Sequence, residues 1–509
     1  MTKKPELTRS GSYAVEYLRA KSLQLLDYPA IREELARNTT FHKSSKLAQA
    51  VKPSYSPLEV HTLLAETSEA RYLLNVVGNL SLKGLENISD HVRRSDLGGI
   101  LTGQELLAVS SSVDAMVALR HSILKHSNEI TLLVHIANKI DDLSYLSHSI
   151  TSKLGLNGLV LDTATPSLGI LRRQVRDSYT RVTTALETII RKNNLQGTIQ
   201  DDVISVRGER LVVQVKSNMR SRVPGVVHDA SNTGRTLFIE PFDTVNLCNS
   251  WRELVLEEER EVARVLKDLS TQTGSLSQEL LSSINAASEL DFILARGRYS
   301  NSIDSPDQAE ISETGTLRIK TSVELASKQD LSLINAKHPL LGMDAVPLSI
   351  EVGTDWKVLV ITGPNTGGKT VALKTVGLLA AMHQSGIHVP MELGSEIPIY
   401  DGIFADIGDQ QSIEGSVSTF SSHIRTLKDI IDNSTALSLV LLDEIGSSTD
   451  PEEGAAIASA ILEEFGESQT STIATTHHQS VAALAETNPF MRNASFDLDP
   501  ETLRPTYAI

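Results

Sequence analysis

The sequence has one cysteine, Cys248, among 509 residues. A single cysteine excludes an internal disulfide and a zinc site built from cysteines, and it suits the reducing cytoplasm. No run approaches the roughly 18 apolar residues that a membrane helix needs, and no apolar segment follows the lysines of MTKKPELTRSGSYAVEYL. We therefore expect a cytoplasmic protein with neither a membrane span nor a secretory signal.

An excess of positive charge is also missing, since 47 Lys and Arg residues stand against 63 Asp and Glu residues, a net charge of −16. This balance argues against a protein that coats nucleic acid with its whole surface, although it allows a local basic patch. The 40% hydrophobic and 22% charged residues are typical of a soluble protein. The length is enough for several domains of about 100–200 residues.

Helical periodicity dominates residues 1–160. Leu23, Leu26, Ile31 and Leu35 recur at helical spacing, and LTGQELLAVSSSVDAMVALRHSIL continues the pattern. We expect this part of the chain to form a helical core.

Residues 161–300 predict two long helices with a β-rich tip between them, near residues 200–245. RLVVQVK alternates like a strand, and TLFIEP follows the turn-like SNTG. The second helix, from about Asn249 to Ser282, repeats apolar residues every seven positions, a pattern that can form an antiparallel coiled coil. Two ordinary core helices joined by a hairpin remain an alternative. The apolar face of the first helix consists of Leu168, Leu171, Val175, Val182, Leu186 and Ile189, and the repeat of the second consists of Val255, Val262, Leu269 and Leu276.

Strands and helices alternate from residue 331 to residue 509, after a linker and return to the core at 301–330 that includes NSIDSPDQAE. KVLVIT, LSLVLLDE and TSTIATTHH predict strands, and the alternation favours a parallel α/β sheet. The segment from Leu393 to Ser422 is rich in Gly, Asp and Ser, and we interpret it as a functional loop.

The stretch GPNTGGKT lies between the strand KVLVIT and the helix VALKTVGLLAAMH, which is the context of a phosphate-binding loop. Glycines let backbone N–H groups turn inward, and the helix N-terminus favours anions. Lys369 is expected to reach the β- and γ-phosphates of ATP, and the Thr370 hydroxyl to bind Mg²⁺. A structural glycine turn is the alternative. The predicted phosphate-binding residues are Gly363, Pro364, Asn365, Thr366, Gly367, Gly368, Lys369 and Thr370.

Two acids and a histidine follow the next strands. Asp443 ends an apolar strand and is expected to hold the metal, while Glu444 is placed to polarise an attacking water. His477 follows TSTIATT and is expected to contact the γ-phosphate or that water, with His478 on the opposite side of the strand. Solvated acids and a structural histidine are the alternatives, and the order of the three elements favours a catalytic role for Glu444 and His477.

These motifs resemble the MutS family within the ABC-type ATPases: GPNTGGKT for Walker A, LLDEIGSSTDPEEG for Walker B, and TTHH for the histidine switch. DIGDQQSIEGSVSTFSSHI is similar to the family's signature segment. The resemblance implies that Ser418 and Thr419, at the start of a predicted helix, reach the ATP of a second protomer in a homodimer with shared sites. A simple helix cap is the alternative.

The subtype resembles the type-two bacterial branch of that family, on GPNTGGKTVALKTVGLL, VPGVVHDASNTGRTLFIEP and the signature segment. The resemblance implies a multidomain α and α/β fold: a helical core, an antiparallel lever arm with a small β clamp tip, and a P-loop ATPase domain. Members of this branch usually continue into a KOW-like module and an Smr nuclease domain. This chain stops at TLRPTYAI, expected to be the last strand of the ATPase domain, so we assign it no nuclease activity.

Positive charge concentrates in residues 165–225, where eleven Lys or Arg stand against five Asp or Glu. A basic tip suits a phosphate backbone, although a solvated face is the alternative for any single arginine. The resemblance implies a clamp around nucleic acid, acting on branched DNA in recombination control or on stalled or collided ribosomes, and both targets stay open. The candidate nucleic-acid contacts are Arg207, Arg210, Lys216, Arg220 and Arg222.

Other ABC-class ATPases compete with this interpretation. A transporter-type head is disfavoured because no membrane or coupling helix is visible and STF stands where transporters have LSGGQ. An SMC-like head is disfavoured because the helical arm precedes the glycine loop and is far too short. A nucleotide-gated protein-binding module is the remaining alternative, and Glu444 argues against a module that never hydrolyses ATP.

Overall fold

A computed structural model describes residues 9–78, 80, 82–191, 197–303, 309–311, 317–319, 330–342, 345–353, 355–363, 368–408, 419–447 and 449–496, with the backbone alone for residues 9–13, 200–202, 309–311, 317–319, 419, 420 and 422. The chain divides into two compact units. The first unit takes its residues from 1–83, 118–140 and 284–509, and the second from 84–117 and 141–283. Both units are discontinuous in sequence, whereas the four predicted regions are contiguous, and the boundaries of those regions stay a prediction.

The N-terminal part of the chain is helical, as predicted. Leu23, Leu26, Ile31 and Leu35, which set the predicted periodicity, are all buried. Burial of such a stripe is what stabilises an amphipathic helix. The helices are α1 (Arg9–Leu25), α2 (Tyr28–Arg37), α3 (His42–Ala50), α4 (Pro57–Val77), α5 (Ser89–Asp96), α6 (Gly103–Leu124), α7 (Leu132–Ala137) and α8 (Ser144–Thr151).

The predicted helix–sheet–helix arrangement is present in the second unit. Helix α9 (Leu168–Arg191) and helix α10 (Val245–Ser275) flank a four-stranded antiparallel sheet of order β1-β2-β4-β3. The two helices run antiparallel, since Arg172 Nε donates to Glu258 Oε1 at 2.9 Å while the rings of Tyr179 and Trp251 lie 5.8 Å apart. Every predicted apolar position of α9 is buried except Val175, which is half-buried. The strands are β1 (Ile199–Arg207), β2 (Arg210–Lys216), β3 (Gly225–Ala230) and β4 (Thr236–Pro241).

The second predicted helix is interrupted, which corrects its expected end at Ser282. Helix α10 ends at Ser275, and a new helix, α11 (Ser277–Ser302), begins two residues later. Leu276 leaves helical geometry, with φ −112° and ψ 22°. Gly274 comes so close to α5 that a Cβ there would lie 2.5 Å from the Ser95 carbonyl oxygen. Glycine and serine are weak helix formers. The apolar residues spaced seven apart were therefore not sufficient to continue the helix past Ser275.

Two short antiparallel pairs follow α11. Strands β5 (Ala309–Ile311) and β6 (Leu317–Ile319) pair within the region predicted as linker and return to the core, of which residues 304–308, 312–316 and 320–329 lie outside the described residues. Strands β7 (Leu331–Ala336) and β8 (Leu348–Val352) form the second pair, with the alternating burial of a sheet that has one covered face.

A five-stranded sheet forms the centre of the first unit, and all of its strand pairs are parallel, as predicted. Its order is β10-β11-β12-β9-β13. β10, β11 and β12 are buried at every position, as expected for a sheet covered on both faces. The strands are β9 (Val358–Thr362), β10 (Gly402–Asp406), β11 (Ser438–Leu442), β12 (Ser471–Thr475) and β13 (Met491–Ser495), and the helices are α12 (Lys369–His383), α13 (Thr419–Asn433), α14 (Pro451–Glu467) and α15 (Gln479–Thr487).

Strand β10 corrects the interpretation of 393–422 as a loop. Its five residues, GIFAD, form the edge strand beside β11. The strand begins with glycine and ends with Asp406, so its apolar run is shorter than the run of β11, which was found from the sequence. Pairing with β11 and burial between two layers decided the conformation, because strand preference depends largely on such context. In the described part of the chain, no helix is both long and apolar enough to cross a membrane.

Candidate nucleotide-binding site

The glycine loop joins the end of β9 to the start of α12, as predicted. Gly363 has φ +125° and Gly368 has φ +85°, conformations that favour glycine over residues with a Cβ. Gly368 directly precedes the first helical residue, Lys369, so the unpaired N–H groups of the first helical turn face the loop. Pro364, Asn365, Thr366 and Gly367 lie outside the described residues.

Lys369 is buried, and its Nζ donates a hydrogen bond to the Gly363 carbonyl oxygen at 2.8 Å. Burial lowers the pKa of Lys369, while the charges of Glu444 and Asp443 act in the opposite direction. Among the described residues, a neutral carbonyl is the hydrogen-bond partner of this buried cation, and such a partner compensates the charge incompletely. An anionic phosphate in the loop would supply the missing charge.

Asp443 connects three segments of the chain. The Thr370 hydroxyl, in the first turn of α12, donates to Asp443 Oδ2 at 2.7 Å, and the Thr475 hydroxyl, at the end of β12, donates to Asp443 Oδ1 at 2.6 Å. The two predicted metal ligands are thus in direct contact. A hydroxyl and a carboxylate oxygen suit Mg²⁺, which usually takes its remaining ligands from phosphates and water. Among the described residues, no group of three or more His, Cys, Asp or Glu is placed to hold a metal by itself.

Glu444 has a left-handed backbone conformation, with φ +50°. This conformation is uncommon for a residue other than glycine, and it persists where neighbouring contacts enforce it. Here the Glu444 N–H donates to the Thr475 hydroxyl at 2.8 Å, and the Ile445 N–H donates to the Thr475 carbonyl oxygen at 3.0 Å. The Glu444 carboxylate accepts no hydrogen bond from another described side chain, so it is available to a water or a ligand.

His477 and His478 correct one expectation. β12 ends at Thr475, so the two histidines do not alternate across a strand, and their ring centroids lie only 4.3 Å apart. Burial, followed by the neighbouring His478 and Lys369, lowers the pKa of His477, against a smaller opposing effect of Glu444. A neutral His477 therefore lies within electrostatic reach of Lys369 and Glu444.

Sequence reasoning missed a second acid–histidine pair at the same edge of the sheet. Asp406 ends β10, and its carbonyl oxygen accepts the Asp443 N–H at 2.9 Å. His423 of α13 places Nδ1 2.7 Å from Asp406 Oδ2. The apolar run before Asp406 resembles the run before Asp443 and could have identified it. Helix α13 begins at Thr419, as predicted, but the Thr419 side chain and all of Ser418 lie outside the described part of the chain.

A cavity of about 200 Å³ adjoins the start of α12. Gly368, Val371 and Thr375 form one side, and burial lowers the pKa of His338 on its wall. A mostly apolar cavity with a neutral imidazole suits a flat heteroaromatic ring. Its lining could not be found from the sequence, because the segment between β7 and β8, strand β8 itself and the region after β13 contribute to it. The lining residues are His338, Leu341, Val346, Leu348, Gly368, Val371, Ala372, Thr375 and Phe496.

The five basic candidates of the second unit differ in their partners. Arg207 lies 3.4 Å from an Asp229 oxygen and over the Phe238 ring, and Arg210 donates to Asn249 at 2.6 Å and lies 3.4 Å from Glu240. Among the described residues, Lys216 bonds one backbone carbonyl oxygen, that of Gly197, at 3.0 Å. Arg220 and Arg222 are exposed and form no ion pair with another described residue. Lys216, Arg220 and Arg222 are therefore the cations most available to a phosphate.

Comparison with known proteins gives a consistent result. Residues 359–507 match the family model MutS domain V. The chain is 39% identical over 496 residues to Endonuclease MutS2 of Geobacillus thermodenitrificans, 38% over 491 residues to Endonuclease MutS2 of Thermomicrobium roseum, and 36% over 496 residues to Putative endonuclease MutS2 of Bacillus subtilis. These alignments cover 97%, 96% and 97% of this chain but 61% of each relative, so the chain spans about three fifths of their length.

The Thr475 hydroxyl orients Asp443, so we expect Thr475→Val to raise the Mg²⁺ concentration needed for half-maximal nucleotide hydrolysis by about 10- to 100-fold, the usual effect of losing a partner of a metal ligand. Titration of activity with Mg²⁺ measures this. Thr472→Val is the matched control, because the Thr472 hydroxyl bonds only the carbonyl of Thr470. An equal effect of both substitutions would refute the assigned role, and Thr475→Ser should behave like the unmodified protein.

Proposed function

We propose that the chain is a member of the MutS2 family, the type-two branch of the MutS ATPases, and that it hydrolyses ATP with Mg²⁺ at the edge of the parallel sheet. The observation that carries the proposal is the hydrogen-bonded chain from Thr370 through Asp443 to Thr475. It brings the first turn of the helix after the glycine loop directly against the carboxylate of the neighbouring strand. A glycine turn with a purely structural role has no need of that contact.

Each side chain then has a defined task. Lys369 and the α12 N-terminus bind the phosphates, and Thr370 and Asp443 hold the metal. Bound Mg²⁺ would neutralise phosphate charge and orient the phosphates. Glu444 accepts a proton from the water that attacks the γ-phosphorus, and the neutral His477 donates a hydrogen bond to that water or to the γ-phosphate. The products are ADP and inorganic phosphate.

The cavity beside α12 takes the nucleobase in this proposal. It adjoins Gly368, the last residue of the glycine loop, so a base and its phosphates can reach the cavity and the loop together. Phe496 and Leu348 supply buried apolar walls, and His338 supplies a polar edge. Apolar walls with few polar groups are typical of sites for small aromatic ligands.

Glu444→Gln is expected to slow hydrolysis by about 10²- to 10⁴-fold, because a general base is lost, and to leave the affinity for ATP unchanged. Single-turnover hydrolysis and equilibrium binding measure the two quantities separately. Lys369→Met should instead weaken the binding of ATP. Phe496→Ala should weaken the binding of ATP but not of tripolyphosphate. Normal single-turnover hydrolysis by the Glu444→Gln protein would show that the assigned role is wrong.

We further propose a homodimer in which Ser418 and Thr419 of one protomer complete the ATP site of the other. Helix α13 begins at Thr419, so its N-terminus is available to an anion. Two identical sites related by a twofold axis are the usual arrangement of such a dimer.

A mixture of the Lys369→Ala and Ser418→Ala proteins should regain activity that neither has alone. In random dimers half are heterodimers, and each of these has one of two sites intact, so about a quarter of the activity should return. ATPase assays on mixtures of increasing ratio measure the recovery. No recovery, in a mixture shown by native mass spectrometry to contain heterodimers, would exclude shared sites.

The substrate of the proposed clamp is nucleic acid, held by the basic sheet of the second unit. Lys216, Arg220 and Arg222 support this, because they are the candidates without a carboxylate partner in the described part of the chain. The roles proposed for the clamp are suppression of recombination on branched DNA and rescue of stalled or collided ribosomes. The curated relatives are named endonucleases, and we propose no nuclease activity for this chain.

Replacing Lys216, Arg220 and Arg222 by Gln should flatten the slope of log affinity against log salt by roughly two to three units on duplex DNA, since each phosphate contact contributes about 0.9. Fluorescence anisotropy at several salt concentrations measures the slope. The control replaces three exposed lysines of the first unit, Lys46, Lys125 and Lys139, and removes the same charge. Equal slopes for both triple variants would mean that the sheet cations are only solvated.

A further inference from the structure

A depression of about 530 Å³ lies on the second unit, beside the 3-10 helix Ser217–Arg222. Its volume is within the range of about 300–1,000 Å³ that is common for small-ligand sites. Side chains of four kinds surround it: hydroxyl, amide, guanidinium and aromatic ring. We call it the Phe242 pocket, and its argument rests on Ser217, Asn218, Arg220, Ser221 and Phe242.

Phe242 forms an exposed aromatic wall of the pocket. The residue is 61% exposed, although phenylalanine is one of the residues most often buried. Its position is fixed, because its backbone N–H donates to the Pro224 carbonyl oxygen at 3.1 Å. The backbone nearby is also closely packed, since a Cβ on Gly225 would meet the Glu240 carbonyl oxygen. The backbone that carries the ring is therefore fixed, and the ring faces solvent.

Polar side chains without partners among the described residues also line the pocket. The side chains of Ser217, Asn218, Arg220 and Ser221 form no hydrogen bond or ion pair with any other residue that the structure describes. Val223, at the end of this segment, is 3% exposed and anchors it to the core of the sheet. The segment is anchored, but its hydrogen-bond donors are unpaired. A ligand can therefore bind these donors without breaking a hydrogen bond within the protein.

The charge around the pocket favours an anionic ligand. Lys216 and Arg222 flank the segment, and the Ser217 N–H bonds the backbone of Arg235, an exposed cation on the turn before β4. Asp243, next to Phe242, is the opposing acid. In a nucleotide, the phosphate binds cations, the base stacks on an aromatic face, and the sugar and the base edges form hydrogen bonds with hydroxyl and amide groups. In a duplex, base faces are stacked and inaccessible, so only an unpaired nucleotide can use all of these groups.

We propose that the Phe242 pocket binds one unpaired nucleotide of a single-stranded nucleic acid, with the base against Phe242 and its phosphate at Arg220. This inference rests on the proposed nucleic-acid function. If the pocket binds in this way, the second unit distinguishes unpaired from paired nucleic acid. Phosphate contacts alone do not make that distinction.

The test uses the full 509-residue chain and labelled strands of about 20 nucleotides, longer than the ~4–16 nucleotides that stacking sites usually cover. The three ligands are a single-stranded DNA, a single-stranded RNA and a blunt-ended DNA duplex. Phe242→Leu should weaken binding to at least one of the single strands by about 5- to 150-fold, the loss expected for one stacked base, and change duplex affinity less than about twofold. Phe242→Tyr keeps the stacking face and should bind like the unmodified protein.

Two matched controls separate the pocket from its surroundings. Arg220→Gln should weaken single-strand binding more than Arg222→Gln, because both remove one exposed cation but only Arg220 lines the pocket. Val226→Ala removes an exposed apolar side chain from the same sheet and should have no effect. Thermal unfolding checks that each variant is folded, and the exposure of Phe242 makes a large loss of stability unexpected.

The outcomes are distinguishable. Selective loss of single-strand binding supports the pocket, and the strand that loses more, DNA or RNA, identifies its source. Duplex binding that persists while Phe242→Leu has no selective effect would overturn the pocket alone. A protein that binds none of the three nucleic acids would overturn the proposed nucleic-acid function together with the pocket.

Discussion

The two hydrogen bonds accepted by Asp443 are the constraint on which the candidate site depends. They come from Thr370 on α12 and Thr475 on β12, so three segments distant in sequence meet at one carboxylate. Asp443 is half-buried, and the two hydroxyl donors offset the loss of solvent around its carboxylate. The Thr475 hydroxyl also accepts a hydrogen bond from the Glu444 N–H at 2.8 Å. The same hydroxyl thus orients the carboxylate of Asp443 and the backbone of Glu444. The positions proposed for metal binding and for water activation are therefore set together.

Helix α12 extends from this site into the core of the first unit. Gly377, at its middle, lies so close to its neighbours that a Cβ would come within 2.5 Å of side chains of Leu26 and Leu441. Beyond its last turn, the Ser385 hydroxyl lies 2.6 Å from the Tyr28 hydroxyl, and the Arg296 guanidinium reaches the Ser385 carbonyl oxygen at 3.5 Å. Both ends of the helix are thus fixed by polar contacts, and its middle is fixed by close packing.

The arginines of the second unit fall into two groups, those paired with a carboxylate and those without such a partner among the described residues. Arg207 and Arg210 are paired with Asp229 and Glu240, so their charge is largely used within the sheet. Arg220 and Arg222 lie on a short 3-10 helix whose polar side chains point to no partner among the described residues. Among the described residues, Arg220 and Arg222 therefore leave unpaired positive charge close to an exposed aromatic ring, that of Phe242.

The sequence by itself determined the features that depend on neighbouring residues. These are the glycine loop between an apolar strand and a helix, the acids at the end of β11, and the apolar face of α9, because positive φ angles and periodic burial leave local patterns. Tertiary structure alone decided that 402–406 forms a strand, that His423 meets Asp406 at 2.7 Å, and that His477 lies against His478. Tertiary structure also decided which arginines are paired. The physical reason is that each of these features is set by contacts between distant segments or by the point at which a strand ends, and neither leaves a periodic signal in the sequence.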